Sequence, residues 1–129
     1  MIYIAYGANL NKSNMRHRCP KAVSIGSSKI KDYKLIFNNV ASIVKSPGDY
    51  VEVGLWKITN ICEKSLDRFE GYPSLYRKES LEQGMVYIMN HEGRAVPNKS
   101  YFDTIAQGYR DFELDPSYLD KALMEAYDY

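Results

Sequence analysis

The residues from Met1 to Tyr6 form a short apolar run, rich in β-formers, that ends at Gly7. Such a run predicts a buried central strand that breaks into a loop. A glycine loop can leave several backbone N–H groups aimed at one point, which suits a carboxylate or a developing oxyanion. Taken alone, the segment is better interpreted as a plain turn in which glycine supplies a positive φ. A functional interpretation therefore needs a second signal elsewhere in the chain.

The second signal is a helix predicted to end at Gly71. Asn60 and Glu63 have the spacing of an N-terminal cap, and glycine is typical of a C-terminal stop. The apolar residues Cys62, Leu66 and Phe69 fall on one stripe of this helix. Glu70 comes four residues after Leu66 and so lies on the same buried stripe.

Glu70 occupies an unfavourable position for a permanent anion. A carboxylate in the last turn faces the negative end of the helix dipole, and burial disfavours its charged form. Both effects should raise the pKa of Glu70 toward neutrality, where a group can take up a proton and later return it. The alternative is a structural ion pair with Arg68, Arg77 or Lys78, and spacing alone does not decide between the two.

Strands and single helices alternate along the chain, with mostly tight turns between them. One helix should begin at Asn11 or Ser13 and stop at Pro20. Strands are expected over 31–38, 40–45 and 50–58, a hairpin over 75–81 and 84–90, and a last helix after Asp115-Pro116. This order predicts an α+β fold in a single domain spanning residues 1–129. The strand pattern alone leaves a closed barrel and an open sheet as alternatives.

Composition narrows the functional classes. Seventeen basic and sixteen acidic residues leave a net charge of +1, so no global field steers the chain onto nucleic acid or an anionic membrane. No run approaches a membrane span, and the first residues lack the pattern of a signal peptide, so we expect a cytosolic protein. The two cysteines, Cys19 and Cys62, show no close pairing and no histidine at ligand spacing. That pattern predicts reduced thiols and no metal site.

The two segments Tyr6–Leu10 and Asp67–Pro73, with the stretch 46–57, resemble the γ-glutamylcyclotransferase family, including its bacterial AIG2-like members. The resemblance extends over almost the whole chain and takes in Arg18-Cys19-Pro20, the run 32–37, Tyr76 and the run 101–108. It implies the closed form of the fold, a small mixed β-barrel with flanking helices. In that form the glycine loop and the helix carrying Glu70 meet at one mouth.

The resemblance also implies a reaction, in which the γ-glutamyl group of a small substrate is cyclised to 5-oxoproline and an amine or amino acid is released. The glutamate matching Glu70 is the family's proton acceptor, and the loop matching Tyr6–Leu10 holds the γ-glutamyl group. Ala8 stands where the family usually has serine, which removes a hydroxyl but keeps the backbone donors. The implied substrate-binding residues are Tyr3, Tyr6, Gly7, Ala8, Asn9, Leu10, Tyr76 and Tyr101. No cofactor or metal is implied.

Other interpretations remain open at this point. Tyr76 and Tyr101 could simply fill the core. The chain could be a γ-glutamylamine-specific or glutathione-specific cyclotransferase on the same scaffold. It could also be a small-molecule binding protein that keeps the pocket without turnover, for which Ala8 is a hint. The sequence does not distinguish a monomer from a homodimer.

Overall fold

A five-stranded sheet runs through the computed structural model, which describes residues 1–129. The strands are β1 (Ile2–Ala5), β2 (Val23–Asn38), β3 (Val40–Lys57), β4 (Tyr76–Leu81) and β5 (Gly84–Met89). Their spatial order is β2-β3-β1-β5-β4, so β1 is central. It pairs antiparallel with β3 and parallel with β5. Because Tyr3, Ile4 and Ala5 are buried, the predicted central strand is confirmed.

The sheet is open, so the predicted closed barrel is wrong, while the α+β class is confirmed. Closure would require backbone pairing between the two outer strands, β2 and β4. Gln83, in the turn after β4, does donate a side-chain hydrogen bond to the Lys29 carbonyl at 2.9 Å. No backbone ladder joins the two edges, and β2 packs against the last helix instead. The strand periodicity was the same for either arrangement, which is why it could not distinguish them.

The hairpin of β2 and β3 is longer and less interrupted than predicted. Lys31 pairs with Tyr50 and Tyr33 pairs with Lys45, so the residues 46–49 bulge out opposite Asp32. The Asp32 carboxylate accepts a hydrogen bond from the Gly48 amide at 3.0 Å. The Pro47-Gly48-Asp49 sequence therefore forms a bulge within one strand rather than a turn between two.

The helices are α1 (Lys12–Arg18), α2 (Asn60–Glu70), α3 (Lys99–Asp111) and α4 (Ser117–Asp128). Of the two predicted starts of α1, Asn11 and Ser13, the cap is Asn11, since its Oδ1 accepts from the Asn14 amide at 3.0 Å. The cap of α2 is Thr59 instead of Asn60, because the Thr59 hydroxyl accepts from the Cys62 amide at 3.1 Å. Gly71 ends α2 with a φ of 66°, which confirms the predicted stop.

The core joins the sheet to the helices and fixes the loop after β1. A single 3₁₀ turn, Ala8–Leu10, connects β1 to α1. Leu10 is fully buried, and a Cβ on Gly108 of α3 would lie only 2.5 Å from the Leu10 Cβ. Glycine at 108 therefore lets the backbone of α3 pack directly against this turn.

Cys19 and Cys62 form a disulfide, so the prediction of reduced thiols is wrong. The two residues are 43 apart in the sequence, but the end of α1 packs on the first turn of α2 and brings their Cα atoms to 5.1 Å. Linear spacing carries no information on this contact, which arises only when the two helices pack. Neither cysteine is free.

None of the helices is both long enough and apolar enough to cross a membrane.

Candidate active site

A pocket opens between the turn after β1, the end of α2, the start of β3 and the first turns of α3. Its empty space, including part of the open mouth, measures about 530 Å³. The lining residues are Tyr3, Tyr6, Gly7, Ala8, Asn9, Val40, Ala41, Phe69, Glu70, Leu75, Tyr76, Tyr87 and Tyr101. The two segments singled out in the sequence, the glycine loop and the glutamate at the end of α2, thus face one cavity.

Leu10 is the one predicted site residue that does not line this pocket. Its side chain is fully buried, in the space left by Gly54 and Gly108. Its amide donates to the Gly7 carbonyl at 3.0 Å and is therefore not free for a ligand. Leu10 packs beneath the loop, and the prediction that Leu10 binds the substrate does not match this geometry.

The glycine loop presents unpaired backbone donors. The amide of Gly7 makes no hydrogen bond within the protein. The amides of Ala8 and Asn9 lie in the first turn of the 3₁₀ segment, where no intrahelical acceptor is available. The φ of Gly7 is −124°, so glycine is not present to supply a positive φ. A Cβ at Gly7 would instead lie 3.2 Å from the Ala41 Cβ and narrow the pocket.

Glu70 is the last residue of α2 and lies, half-buried, at the end of the stripe of Cys62 and Leu66. It forms no ion pair: Lys78 pairs with Glu63 and Asp67, and Arg77 with Glu79. The alternative prediction, a structural ion pair of Glu70 with Arg68, Arg77 or Lys78, is therefore wrong. Burial raises the pKa of Glu70 to about 7, and the nearby Arg18 guanidinium limits the rise. The result is a carboxyl group that can exchange protons near neutral pH.

Phe69 departs from its predicted place on the buried stripe. Its side chain is 46% exposed and lies at the rim of the pocket. The guanidinium of Arg18 covers one face of the ring, with Cζ 3.4 Å from the ring centroid. This contact with a cation replaces the apolar contacts that the stripe predicted.

The tyrosine hydroxyls in the pocket divide into two groups. Tyr6 donates to the Tyr87 carbonyl at 2.7 Å, and Tyr76 donates to the Ala41 carbonyl at 2.6 Å. The Tyr87 hydroxyl donates to Asp67 Oδ1 at 2.6 Å. Their protons are committed to the protein, so only their oxygens can meet a ligand, as acceptors.

Tyr3 and Tyr101 have the opposite arrangement. The Tyr3 hydroxyl accepts from Asn9 Nδ2 at 2.9 Å, and the Tyr101 hydroxyl accepts from the Ala41 amide at 2.9 Å. Each keeps its own proton to donate. Burial raises the pKa of both tyrosines, that of Tyr101 to about 12, so both hydroxyls stay protonated and neutral. The pocket thus combines free amides, two hydroxyl donors and one titratable carboxyl group.

Comparison with known proteins identifies the family. The family model described as "Gamma-glutamyl cyclotransferase, AIG2-like" matches residues 3–109. The chain belongs to the γ-glutamyl cyclotransferase family. The protein named gamma-glutamylcyclotransferase from Mus musculus is 30% identical, over 93% of this chain and 76% of the mouse protein. The protein of the same name from Homo sapiens is 29% identical over the same shares.

Solved structures of the γ-glutamyl cyclotransferase family share the fold. A structure named gamma-glutamyl cyclotransferase superposes with a TM-score of 0.80 at 27% identity. The match covers 95% of this chain and 85% of that chain. The resemblance drawn from the two short segments is therefore confirmed.

Several residues of the pocket were not predicted from the sequence. Phe69 and Leu75 are close to Glu70 in the sequence, so the segment around Glu70 could have predicted that they line the pocket. Ala41 contributes to the pocket through its main chain. Its carbonyl accepts from the Tyr76 hydroxyl and its amide donates to the Tyr101 hydroxyl, and no sequence signal marks such a role. Arg18 appeared only as part of the resemblance, yet it contacts both Asn9 and Phe69.

Proposed function

We propose that this chain is a γ-glutamyl cyclotransferase that converts the γ-glutamyl group of a small compound into 5-oxoproline and releases an amine or amino acid. The observation that carries the proposal is a carboxyl group with a pKa of about 7, on Glu70, facing the same pocket as the unpaired amides of the glycine loop. Family membership and the shared fold support the same activity.

Glu70 carries the proton transfers. The substrate's α-amine is an ammonium in water and must lose a proton before its nitrogen can attack the γ-carbonyl. Glu70 accepts that proton, and the amine nitrogen attacks the γ-carbonyl carbon to form the new C–N bond of a tetrahedral intermediate. Glu70 returns the proton to the leaving nitrogen, and only then does the bond from that nitrogen to the carbonyl carbon break. The ring nitrogen loses its second proton through Glu70 to the released amine, so both protons lost by the ammonium end on that amine. A pKa near 7 suits a group that acts first as base and then as acid.

The loop amides and hydroxyls bind the charged and developing groups. The amides of Gly7, Ala8 and Asn9 stabilise negative charge on the substrate, and donors fixed in place before the reaction need no reorganisation. Tyr101 donates its free hydroxyl proton to the γ-glutamyl group. Because nucleophile and electrophile belong to one molecule, holding the substrate bent supplies the advantage of proximity.

Each of these steps uses only groups of the protein and the substrate, so no cofactor is assigned. Release of 5-oxoproline is therefore expected to continue at an unchanged rate in excess EDTA. A loss of activity on chelation that one added metal restores would overturn this mechanism.

The direct test is incubation with γ-glutamyl dipeptides, γ-glutamylamines and glutathione, followed by detection of 5-oxoproline. Release from one class only would identify the leaving group that the enzyme accepts. Ala8 lacks the hydroxyl usual at this position, so substrate selectivity is where this chain should differ from its relatives. Binding of these compounds without any 5-oxoproline would favour a non-catalytic binding protein instead.

The pH dependence of kcat/KM should follow the titration of Glu70. The base must be ionised in the free enzyme, so kcat/KM is expected to rise with pH and to level off above about 7, the pKa of Glu70. The measurement is the initial rate of 5-oxoproline release between pH 5 and 8.5. A profile already flat at pH 5 would mean that a carboxyl group with an ordinary pKa, or no carboxyl group, limits the rate.

Replacement of Tyr101 by phenylalanine should lower kcat/KM by an amount equivalent to about 0.5–1.5 kcal/mol, because one hydrogen bond to the substrate is lost. The same change leaves the buried Ala41 amide without its acceptor, so the free energy of unfolding should also fall by about 1–3 kcal/mol. Kinetics and thermal melting of the variant test both expectations.

Tyr101→Ala provides the comparison, since it also removes the ring and should destabilise the fold by about 3–5 kcal/mol. Unchanged kinetics in a well-folded Tyr101→Phe would remove Tyr101 from the substrate-binding residues.

A further inference from the structure

Arg18, the last residue of α1, is held firmly at its main chain. Its carbonyl accepts a hydrogen bond from the Ser65 hydroxyl of α2 at 3.1 Å. The next residue, Cys19, is joined by the disulfide to Cys62, also on α2. The base of the Arg18 side chain is therefore fixed to the same helix that ends in Glu70.

The guanidinium of Arg18 is partly buried without a carboxylate partner. It forms none of the ion pairs in the structure and contacts instead the Phe69 ring, with Cζ 3.4 Å from the centroid, and Asn9 Oδ1. A desolvated cation is costly unless something compensates its charge. Burial lowers the pKa of Arg18, and the Glu70 carboxylate acts against this effect. Glu70, when ionised, is the counter-charge that Arg18 has nearby.

Arg18 also determines which way the Asn9 side chain points. A guanidinium only donates, so the Asn9 oxygen must face Arg18 and the Asn9 nitrogen must face the other way. That nitrogen donates to the Tyr3 hydroxyl at 2.9 Å and leaves the Tyr3 proton free for the pocket. The Asn9 carbonyl accepts from the Trp56 indole at 3.0 Å, which fixes the remaining part of the residue.

The other titratable groups around Glu70 carry no charge near neutral pH. They are Tyr3 and Tyr6 at the end of β1, Tyr76 on β4, Tyr87 on β5 and Tyr101 on α3, and burial raises the pKa of each. On α2 itself, Glu63 and Asp67 are paired with Lys78 of β4. Arg18 is therefore the charged group that opposes the effect of burial on Glu70.

We propose that Arg18 is a positioning residue for the cyclisation: its guanidinium, stacked on Phe69 beside Glu70, supplies the positive charge of the site and holds Asn9 so that the Tyr3 proton faces the pocket. The cyclisation is the function proposed above, and the role of Arg18 in turnover rests on it. Arg18 stays protonated throughout and exchanges no proton with the substrate.

The test compares Arg18→Gln with Arg18→Lys, and uses Arg16→Gln as the control. Arg16 lies in the same last turn of α1 but is exposed, so its variant makes the same change of charge away from the pocket. Two measurements are made on each folded variant. One is the pH profile of 5-oxoproline release, and the other is a ¹³C NMR titration of the Glu70 carboxyl group, assigned by its absence in Glu70→Gln.

Arg18→Gln is expected to move the Glu70 titration midpoint up by about one pH unit, as loss of a neighbouring opposite charge does. Below pH 7 its rate should then be about tenfold lower than wild type. Arg18→Lys keeps the charge, so its midpoint should stay near that of wild type. It loses the planar contact with Phe69 and the fixed contact with Asn9, so its rate at high pH should be reduced.

A Glu70 midpoint in Arg18→Gln equal to that in Arg16→Gln would overturn the proposal. If Arg18→Gln does not fold, an Arg18→Lys variant with wild-type rate at high pH would refute the role in holding Asn9. The NMR titration needs no turnover. A protein without cyclotransferase activity would therefore refute the proposed function and still reveal whether Arg18 acts on Glu70.

Discussion

Glu70→Gln is expected to lower the rate of 5-oxoproline release by about a hundred- to ten-thousand-fold, the usual effect of losing one acid/base group. Glutamine keeps the shape of the side chain but cannot accept the ammonium proton. Substrate binding should change little, because the loop amides and the tyrosine hydroxyls remain. The measurements are steady-state kinetics and calorimetric binding of a γ-glutamyl compound.

The matched control is Glu82→Gln, the same chemical change at an exposed position in the turn between β4 and β5. It should leave both binding and turnover at wild-type values. A loss of only a few-fold in Glu70→Gln would assign Glu70 a positioning role, and full activity would remove it from the mechanism.

Glu70→Gln should also be more stable than wild type at high pH. The pKa of Glu70 rises from 4.5 to about 7 on folding, so the folded state binds a proton that the unfolded state releases in this range. The contribution of Glu70 to the free energy of unfolding is therefore fully present below about pH 4.5 and is lost as the pH rises to about 7. Glutamine cannot ionise, so at pH 8 Glu70→Gln should gain on the order of 1–3 kcal/mol in free energy of unfolding. Urea unfolding at pH 4.5 and pH 8 tests this difference, which should nearly vanish at the lower pH.

Removing the disulfide is expected to lower the free energy of unfolding by about 4 kcal/mol, from the loop-closure entropy of its 43-residue separation. The double variant Cys19→Ser/Cys62→Ser, or wild type with a reductant, should therefore unfold at a lower urea concentration. Urea unfolding of both proteins, with and without dithiothreitol, measures the effect.

The serine variant is its own control, because a reductant should leave its unfolding midpoint unchanged. A thiol-alkylating reagent should not modify the native, unreduced wild type, since neither cysteine is free. Two results together would contradict the disulfide: labelling of both cysteines in the native protein, and an unfolding midpoint that is the same with and without reductant. The two residues would then lie close together without a bond.

The parts of the site that depend on local sequence could be predicted. Gly71 ends α2, and the spacing from Leu66 places Glu70 on the buried stripe, so a helix, its end and a titratable carboxyl group follow from a few residues. The short apolar strand before Gly7 likewise predicted where the loop begins. In each case neighbours in the chain determine the geometry.

The parts that depend on tertiary contacts could not be predicted. The alternation of apolar residues in β2 and β4 is compatible with either a paired or an unpaired edge, so the openness of the sheet was missed. The disulfide and the contact of Arg18 with Phe69 both form only when α1 packs next to α2. The hydroxyls of Tyr76 and Tyr101 take opposite roles because each meets a different main-chain group of Ala41, which no side-chain pattern records.

The close packing of Gly108 on Leu10 has a consequence for motion. The loop that carries the free amides is held from below by the backbone of α3, and the Trp56 indole binds it at Asn9. A loop held in this way has little conformational entropy left to lose when a ligand arrives. The loop amides are thus ordered during folding, and the binding of a ligand in the pocket does not have to supply the free energy of ordering them.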